Sequence, residues 1–224
     1  MAETGYAGRT VLVFGAAGAL GGGLAAAFAA AGASVAGADR HLPSAAHRLD
    51  GVRYHEVDVL DDAALGALFG GEPPWAVINT IGGYAPHTRL DALDPGELAG
   101  QLNLNLVSAA LVTKHALAAL RRAGEGRIVH TASRAAQVTK GQGFAYSVSK
   151  LGVLHLVAMA AEEVGGTGIT VNCVVPSIID TPANRAAMPD ADHGAWPKVE
   201  DIARAYLFLA APQAHLVSGA AIPV

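Results

Sequence analysis

Apolar residues along this chain fall into two kinds of run. RTVLVF (9–14), SVAGA (34–38), RYHEV (53–57), WAVINT (75–80), RIVHTA (127–132) and ITVNCVV (169–175) are short and rich in apolar or β-branched residues, and they read as buried strands. AAIPV (220–224) closes the chain as a weaker one. Longer amphipathic stretches near 20–31, 61–69, 96–123, 145–165 and 199–210 predict helices between them. The stretch 96–123 has the clearest ends. Asp94 can cap it, Pro95 suits the first helical position, Glu97 completes a box-like pattern, and Gly124 suits the stop. Strands alternating with helices in this way imply a parallel sheet covered on both faces. The expected architecture is a single doubly wound α/β domain over residues 1–224.

Composition narrows the possibilities. With 224 residues, 52% apolar and 15% charged, the chain can bury a sizeable core. The net charge is −4 and the Lys and Arg residues are scattered, which argues against a nucleic-acid or anionic-membrane surface. The single cysteine, Cys173, has no internal disulfide partner, and no Cys/His cluster marks a metal site. MAETGYAGRT is neither basic nor followed by a signal-type core, and the Ala-rich stretch from Leu24 to Ala38 is interrupted by Gly32, Ser34 and Gly37. A soluble cytoplasmic protein is expected.

The first strand runs straight into GAAGALGGG, with Gly15, Gly18 and Gly21 at three-residue steps. Glycines there allow a tight turn and a close approach of backbone N–H groups to a pyrophosphate, at the positive end of the next helix, with Ala19 and Leu20 also beside the cofactor. In a chain with 27 Gly, that spacing arises by chance roughly 0.4 times, so position carries the argument. The motif follows the first strand, and Asp39 stands eighteen residues after Gly21, at the end of the second, where an acid can bond both ribose hydroxyls. This is the pattern of a Rossmann-type dinucleotide fold. A carboxylate at Asp39 favours NAD(H) over NADP(H), although Arg40 could pair with a 2′-phosphate. Asp58, with its neighbour Val59, is expected near the adenine; a helix N-cap is the other reading of Asp58.

SRAAQVTKGQGFAYSVSK (133–150) carries the candidate chemistry. Tyr146 and Lys150 share one face at the start of a helix, and Ser133 ends the fifth strand at the same sheet edge as the glycine turn. A phenol titrates near ~10, and a neighbouring ammonium favours its phenolate, bringing it nearer a working range. Ser133 could then hold a substrate oxygen while Tyr146 gives or takes the proton.

These residues resemble the short-chain dehydrogenase/reductase family, over nearly the full length. NTIG (79–82) resembles the family's Asn-Asn-Ala-Gly segment, which implies roles for Asn79 and Gly82 beside the cofactor. Asn105 falls where the family has a helix-kinking Asn linked through water to the catalytic Lys. VNCVVPSIIDT (171–181) resembles the segment that closes over the nicotinamide, implying contacts from Pro176, Ile179 and Thr181. Ala19 and Ser177 depart from the commonest pattern, each replacing a Gly.

DTPANRAAMPDADHGAW (180–196), VFGAAGALG and IGGYA resemble the quinonoid dihydropteridine reductases, with Tyr84 where a Trp is expected. That implies NADH-dependent reduction of a flat pterin ring. Ser133 points instead to a true ketone or alcohol, because a ring-nitrogen target has no carbonyl oxygen to hold. The substrate loop, about 177–198, is short. Tyr84, Asn184, Arg185, Met188 and Trp196 are candidates to line a compact pocket, with His87 a weaker one. A catalytically silent NAD sensor and a nucleotide-sugar epimerase are the rival functions. The resemblance also implies a homodimer or homotetramer, meeting through the apolar outer sides of helices 96–123 and 145–165.

Overall fold

A computed structural model describes residues 5–84, 89–138 and 143–224. In chain order they form β1 (Thr10–Phe14), α1 (Ala19–Ala30), β2 (Ser34–Asp39), β3 (Arg53–Glu56), α2 (Asp62–Leu68), β4 (Ala76–Asn79), α3 (Pro95–Leu102), α4 (Ser108–Ala123), β5 (Glu125–Thr131), α5 (Phe144–Glu163), β6 (Gly168–Val175), α6 (Pro182–Ala187), α7 (Val199–Ala210) and β7 (Ala221–Pro223). The seven strands make one parallel sheet in the order β3-β2-β1-β4-β5-β6-β7. Strand order reverses between β1 and β4, so the crevice for a ligand opens there, at the carboxyl edge.

Both faces of the sheet are covered, as the continuous apolar strands predict. Leu12 and Phe14 of β1 join a core with Leu65 of α2, Val112 and Leu120 of α4 and Val153 of α5. Val11 and Val13, pointing the other way, meet Leu24 and Phe28 of α1 and Tyr206 and Leu209 of α7. Each such side chain contributes about 1.5–3 kcal/mol by leaving water. α5 is long and apolar enough to cross a membrane by length and composition, but Ala145, Lys150, Val153 and Val157 along it are buried within the fold.

Local signals place the helix ends. Asp94 accepts from the Glu97 N–H at 3.1 Å with Pro95 behind it, and Gly124 stops α4 in the left-handed region at φ 81°. The expected continuous helix 96–123 is instead interrupted by a π turn, Asn103–Val107, between α3 and α4. The short α6 lies in a stretch that carried no helix expectation.

At the amino edge of the sheet, the guanidinium carbons of Arg9 and Arg127 lie 3.8 and 4.6 Å from the centre of the Trp75 ring. The buried Arg127 donates to the carbonyls of Gly126, Gly168, Ala211 and Pro212, and the Trp75 indole N–H reaches Ala210 O at 2.9 Å. This cluster ties the end of α7 to the sheet.

Candidate active site

The glycine turn has the shape its sequence implies. Gly15 has φ +79°, and a Cβ there would lie 2.5 Å from Thr80 Oγ1. A Cβ on Gly21 would lie 2.1 Å from the Gly15 carbonyl oxygen, so only glycine lets α1 begin this close to β1. Gly18 is the N-cap of α1 and supplies no side-chain cap, which leaves the first N–H groups, including those of Ala19 and Leu20, facing the turn. Asp39, at the end of β2, accepts from the Ala17 N–H at 3.0 Å and so stands beside the turn. Arg40 next to it is exposed. Asp58 accepts from the Leu60 N–H at 2.9 Å, and it is Asp61 that caps α2. The Val59 side chain is packed in the core, so only its backbone is available to a ligand. A bare turn, an acid beside it and a helix N-terminus together fit an adenine dinucleotide.

Ser133, Tyr146 and Lys150 meet at the same carboxyl edge. Ser133 lies near enough to Tyr146 to act on its phenol, and the Ser133 Oγ accepts from the Ala135 N–H at 3.2 Å. Lys150 is almost wholly buried and donates to Thr131 O at 2.9 Å. Burial brings its ammonium down to about 8, with the thiol of Cys173 nearby acting the other way. Burial also holds the Tyr146 phenol above its usual value, and the nearby Ser133 hydroxyl offsets part of that. The expectation that Lys150 would lower the phenol is therefore not what dominates: the ammonium is turned to Thr131 O, and desolvation of the ring prevails.

Asn105 sits in the π turn and is 1% exposed. Its Oδ1 accepts from the Gly83 N–H at 3.0 Å, and its Nδ2 donates to Gly83 O, Gln101 O and Gln101 Oε1. The helix deforms where the side chain reaches out to the turn after β4. A Cβ on Gly82 would come 2.6 Å from Asn105 Oδ1 and 2.7 Å from Lys150 Nζ, so glycine keeps that corner open. Asn79 is 2% exposed, and its amide is engaged within the protein, with His130 Nδ1 at 3.2 Å and the Ile81 N–H at 3.1 Å. It shapes the turn from inside. Residue 130 carried no expectation, although a histidine inside RIVHTA was a visible signal of a buried polar contact.

The loop after β6 is held mostly by its own polar groups. Pro176 is buried and its carbonyl accepts from the Arg134 N–H at 3.0 Å. Thr181 caps α6 by accepting from the Asn184 N–H at 3.2 Å, and Asn184 Nδ2 donates to Ile179 O at 2.8 Å. Arg185 grips Asp180 through two hydrogen bonds, which holds that carboxyl below its usual range. Met188 O lies 2.8 Å from His193 Nε2, and the His193 ring is 4.6 Å from that of Trp196. Asn184, Arg185 and the Met188 carbonyl thus brace the loop. Tyr84 is the candidate that reaches the chemistry: its ring meets Tyr146 edge-on, 5.1 Å between centroids. His87 lies outside the described residues. Among the described residues, no group of three or more His, Cys, Asp or Glu is arranged to hold a metal ion.

A dinucleotide cradle beside a Ser–Tyr–Lys group defines a nicotinamide-dependent oxidoreductase, and comparison with known proteins agrees. A family model described as Enoyl-(Acyl carrier protein) reductase matches residues 15–224. Cis-4-hydroxycyclohexanecarboxylate dehydrogenase of Sinomonas cyclohexanicum is 33% identical over 245 aligned positions, covering 98% of this chain and 96% of that protein. D-threitol dehydrogenase of Mycolicibacterium smegmatis is 31% identical, covering 95% and 90%. A short-chain type dehydrogenase/reductase from Mycobacterium ulcerans superposes with a TM-score of 0.89 at 27% identity, covering 98% of this chain and 89% of that one. The chain belongs to the short-chain dehydrogenase/reductase family, and it is an NAD(P)-dependent oxidoreductase. The rival of a silent sensor finds no support in these relatives.

Proposed function

We propose that the protein interconverts a small cyclic secondary alcohol and its ketone with NAD(H), with Tyr146 exchanging the proton and Ser133 holding the substrate oxygen. The observation that carries the reading is the placing of Ser133 and Tyr146 beside the buried Lys150, at the strand edge where the glycine turn opens. Gly15, Gly18, Ala19, Leu20 and Gly21 would hold the pyrophosphate, Asp39 the adenosine ribose, and Lys150 the nicotinamide ribose, with Ile179 and Thr181 closing over the ring. Bound there, the nicotinamide donates or accepts hydride. The protein's own part is the proton. A phenol raised by burial is protonated at neutral pH and ready to donate to a carbonyl oxygen. As the proton leaves, the Lys150 ammonium stabilises the phenolate left behind. Tyr84 lies across Tyr146 as an aromatic wall, which favours a ring-shaped substrate over an extended one. The carboxylate of Asp39 beside the turn supports NAD over NADP, by repulsion of a 2′-phosphate.

A second reading, reduction of a quinonoid pterin, is favoured by the resemblance of the 180–196 loop, VFGAAGALG and IGGYA to quinonoid dihydropteridine reductases. One experiment separates the two: NADH oxidation with cyclohexanone-type ketones beside quinonoid dihydropterin, each repeated with Tyr146→Phe. Ketone turnover that collapses in the variant upholds the proposal. Pterin turnover with inert ketones overturns it in favour of the second reading.

A further inference from the structure

His130 is wholly buried on β5, three residues before Ser133. Its two ring nitrogens face different partners, and the partners decide which one carries the proton. The Thr113 hydroxyl donates to Ala109 O at 2.7 Å, so toward His130 Nε2, 2.8 Å away, it accepts. Nε2 therefore bears the hydrogen and Nδ1 is bare. Asn79 meets that bare nitrogen with its Nδ2 at 3.2 Å, which leaves Asn79 Oδ1 to accept from the Ile81 N–H. Turning the amide over would set NH2 against Ile81 N–H and oxygen against the Nδ1 lone pair. One neutral tautomer thus fixes one orientation of Asn79. Beyond Ile81 the chain enters Gly82 and Gly83, which pack on Lys150 and Asn105. On the opposite side, the Thr131 hydroxyl donates to Asn79 O at 2.8 Å and accepts from the Tyr206 hydroxyl at 2.6 Å.

We propose that His130 is a positioning residue for the dinucleotide site: as a neutral Nε2–H imidazole it clamps Asn79, and through Asn79 it holds the turn of residues 80–84 against Asn105 and Lys150. The inference rests on the reading of that turn as the nicotinamide end of the site. Charge around His130 keeps it neutral. From α5 it faces the Lys150 ammonium, and from β6 its register partner is Cys173, a thiol pushed up to about 12 by burial; β4 and α4 present the uncharged Asn79 and Thr113. Burial, with Lys150 adding to it, brings the imidazole down to about 4.

Four measurements test this together. Long-range 1H–15N correlation spectra of the uniformly 15N-labelled protein at pH 8 are expected to show His130 as the Nε2–H tautomer. Calorimetric titration with NADH is expected to give a Kd about tenfold weaker in His130→Leu, which offers Asn79 no acceptor. His130→Asn, which places an amide oxygen near the Nδ1 position, is expected to restore the Kd to within about threefold of the parent. On an Asn79→Ala background the His130→Leu substitution is expected to cost little more, because its effect passes through Asn79. A Leu variant that binds like the parent overturns the proposal, as does a loss undiminished without Asn79, or an Nδ1–H or doubly protonated spectrum. Should the Leu variant fail to fold, the parent spectrum and the Asn variant decide. A parent protein that binds neither NADH nor NADPH would sink the reading of the site instead, with the tautomer still testing the clamp itself.

Discussion

Tyr146 and Lys150 pay for burial in opposite chemical currencies. The phenol resists losing its proton, and the ammonium resists keeping one. Removing the Tyr146 hydroxyl should therefore strike the chemical step alone. Tyr146→Phe is expected to lower kcat about 10²–10⁴-fold while NADH affinity stays within about threefold, measured by steady-state kinetics and calorimetric titration. Lys150 behaves differently. Its value is depressed from 10.5 to about 8, so between those pH values the unfolded chain holds a proton that the folded one has released. Stability consequently rises with pH over that interval, and below about 8 the cost of burying the charge is felt in full. Lys150→Met is expected to raise Tm at pH 7 by a few degrees and to abolish turnover, with the Tm gain shrinking toward pH 10. Calorimetric scans at pH 7, 8.5 and 10 check the sign. Tyr84→Ala removes one edge-on aromatic contact and is expected to raise KM for a cyclic substrate up to about tenfold.

At the level of elements, the glycine-rich turn separates positions that look alike in sequence. A Cβ on Gly21 would collide with the Gly15 carbonyl, whereas one on Gly22 would lie at an ordinary 3.5 Å from Ala16 O. Gly21→Ala is expected to lose nucleotide binding and stability together. Gly22→Ala should fold with unchanged affinity and gain up to about 1 kcal/mol as an interior helix position. Urea unfolding with NADH titration reads both. The strands, the capped start of α3 and the stop of α4 were legible in the sequence, because each rests on local pattern: apolar runs, Asp94–Pro95, Gly124. The break at residues 103–107 was legible only through the family resemblance of Asn105, since its cause is a side chain bonding a turn distant in sequence. α6 escaped notice because six residues are too few to show a period. The inward use of Asn79 was equally hidden, since NTIG reads the same whether its first residue faces ligand or core. Loop polar residues such as Arg185 carry the same ambiguity, since a side chain that pairs with Asp180 five residues earlier reads the same in sequence as one that faces a ligand.

Two surface helices are the expected meeting place of two copies of the chain. α4 and α5 leave a groove lined by Ala110, Leu117 and Ala118 on one side and by Leu156 and Met159 on the other, with the Arg121–Glu163 ion pair across it. Met159 there is more than half exposed, as is Leu151 two turns earlier on α5, and apolar exposure along one helix suits a second copy of the chain. Sedimentation at micromolar concentration is expected to show a dimer or tetramer, and Met159→Asp to shift it toward monomer; a monomeric parent would count against the interface. Acid should act on the fold through His130. Because its value falls from 6.5 to about 4 on folding, protonation of the unfolded chain erodes stability as pH drops through that window. The fall in Tm from pH 6.5 to 4 is expected to be smaller in His130→Asn.

Trp75, with Arg9 and Arg127 against its ring, has an optical consequence. The chain has two tryptophans, one in this buried cationic cluster at the amino edge of the sheet and one, Trp196, partly exposed on the loop beyond α6. Their emission should differ in wavelength: an indole held among guanidinium groups and core side chains emits apart from one in contact with water. The protein thus carries separate built-in lamps for its foundation and its loop. With Trp75→Phe, light from Trp196 alone would follow the loop as substrate and nucleotide arrive.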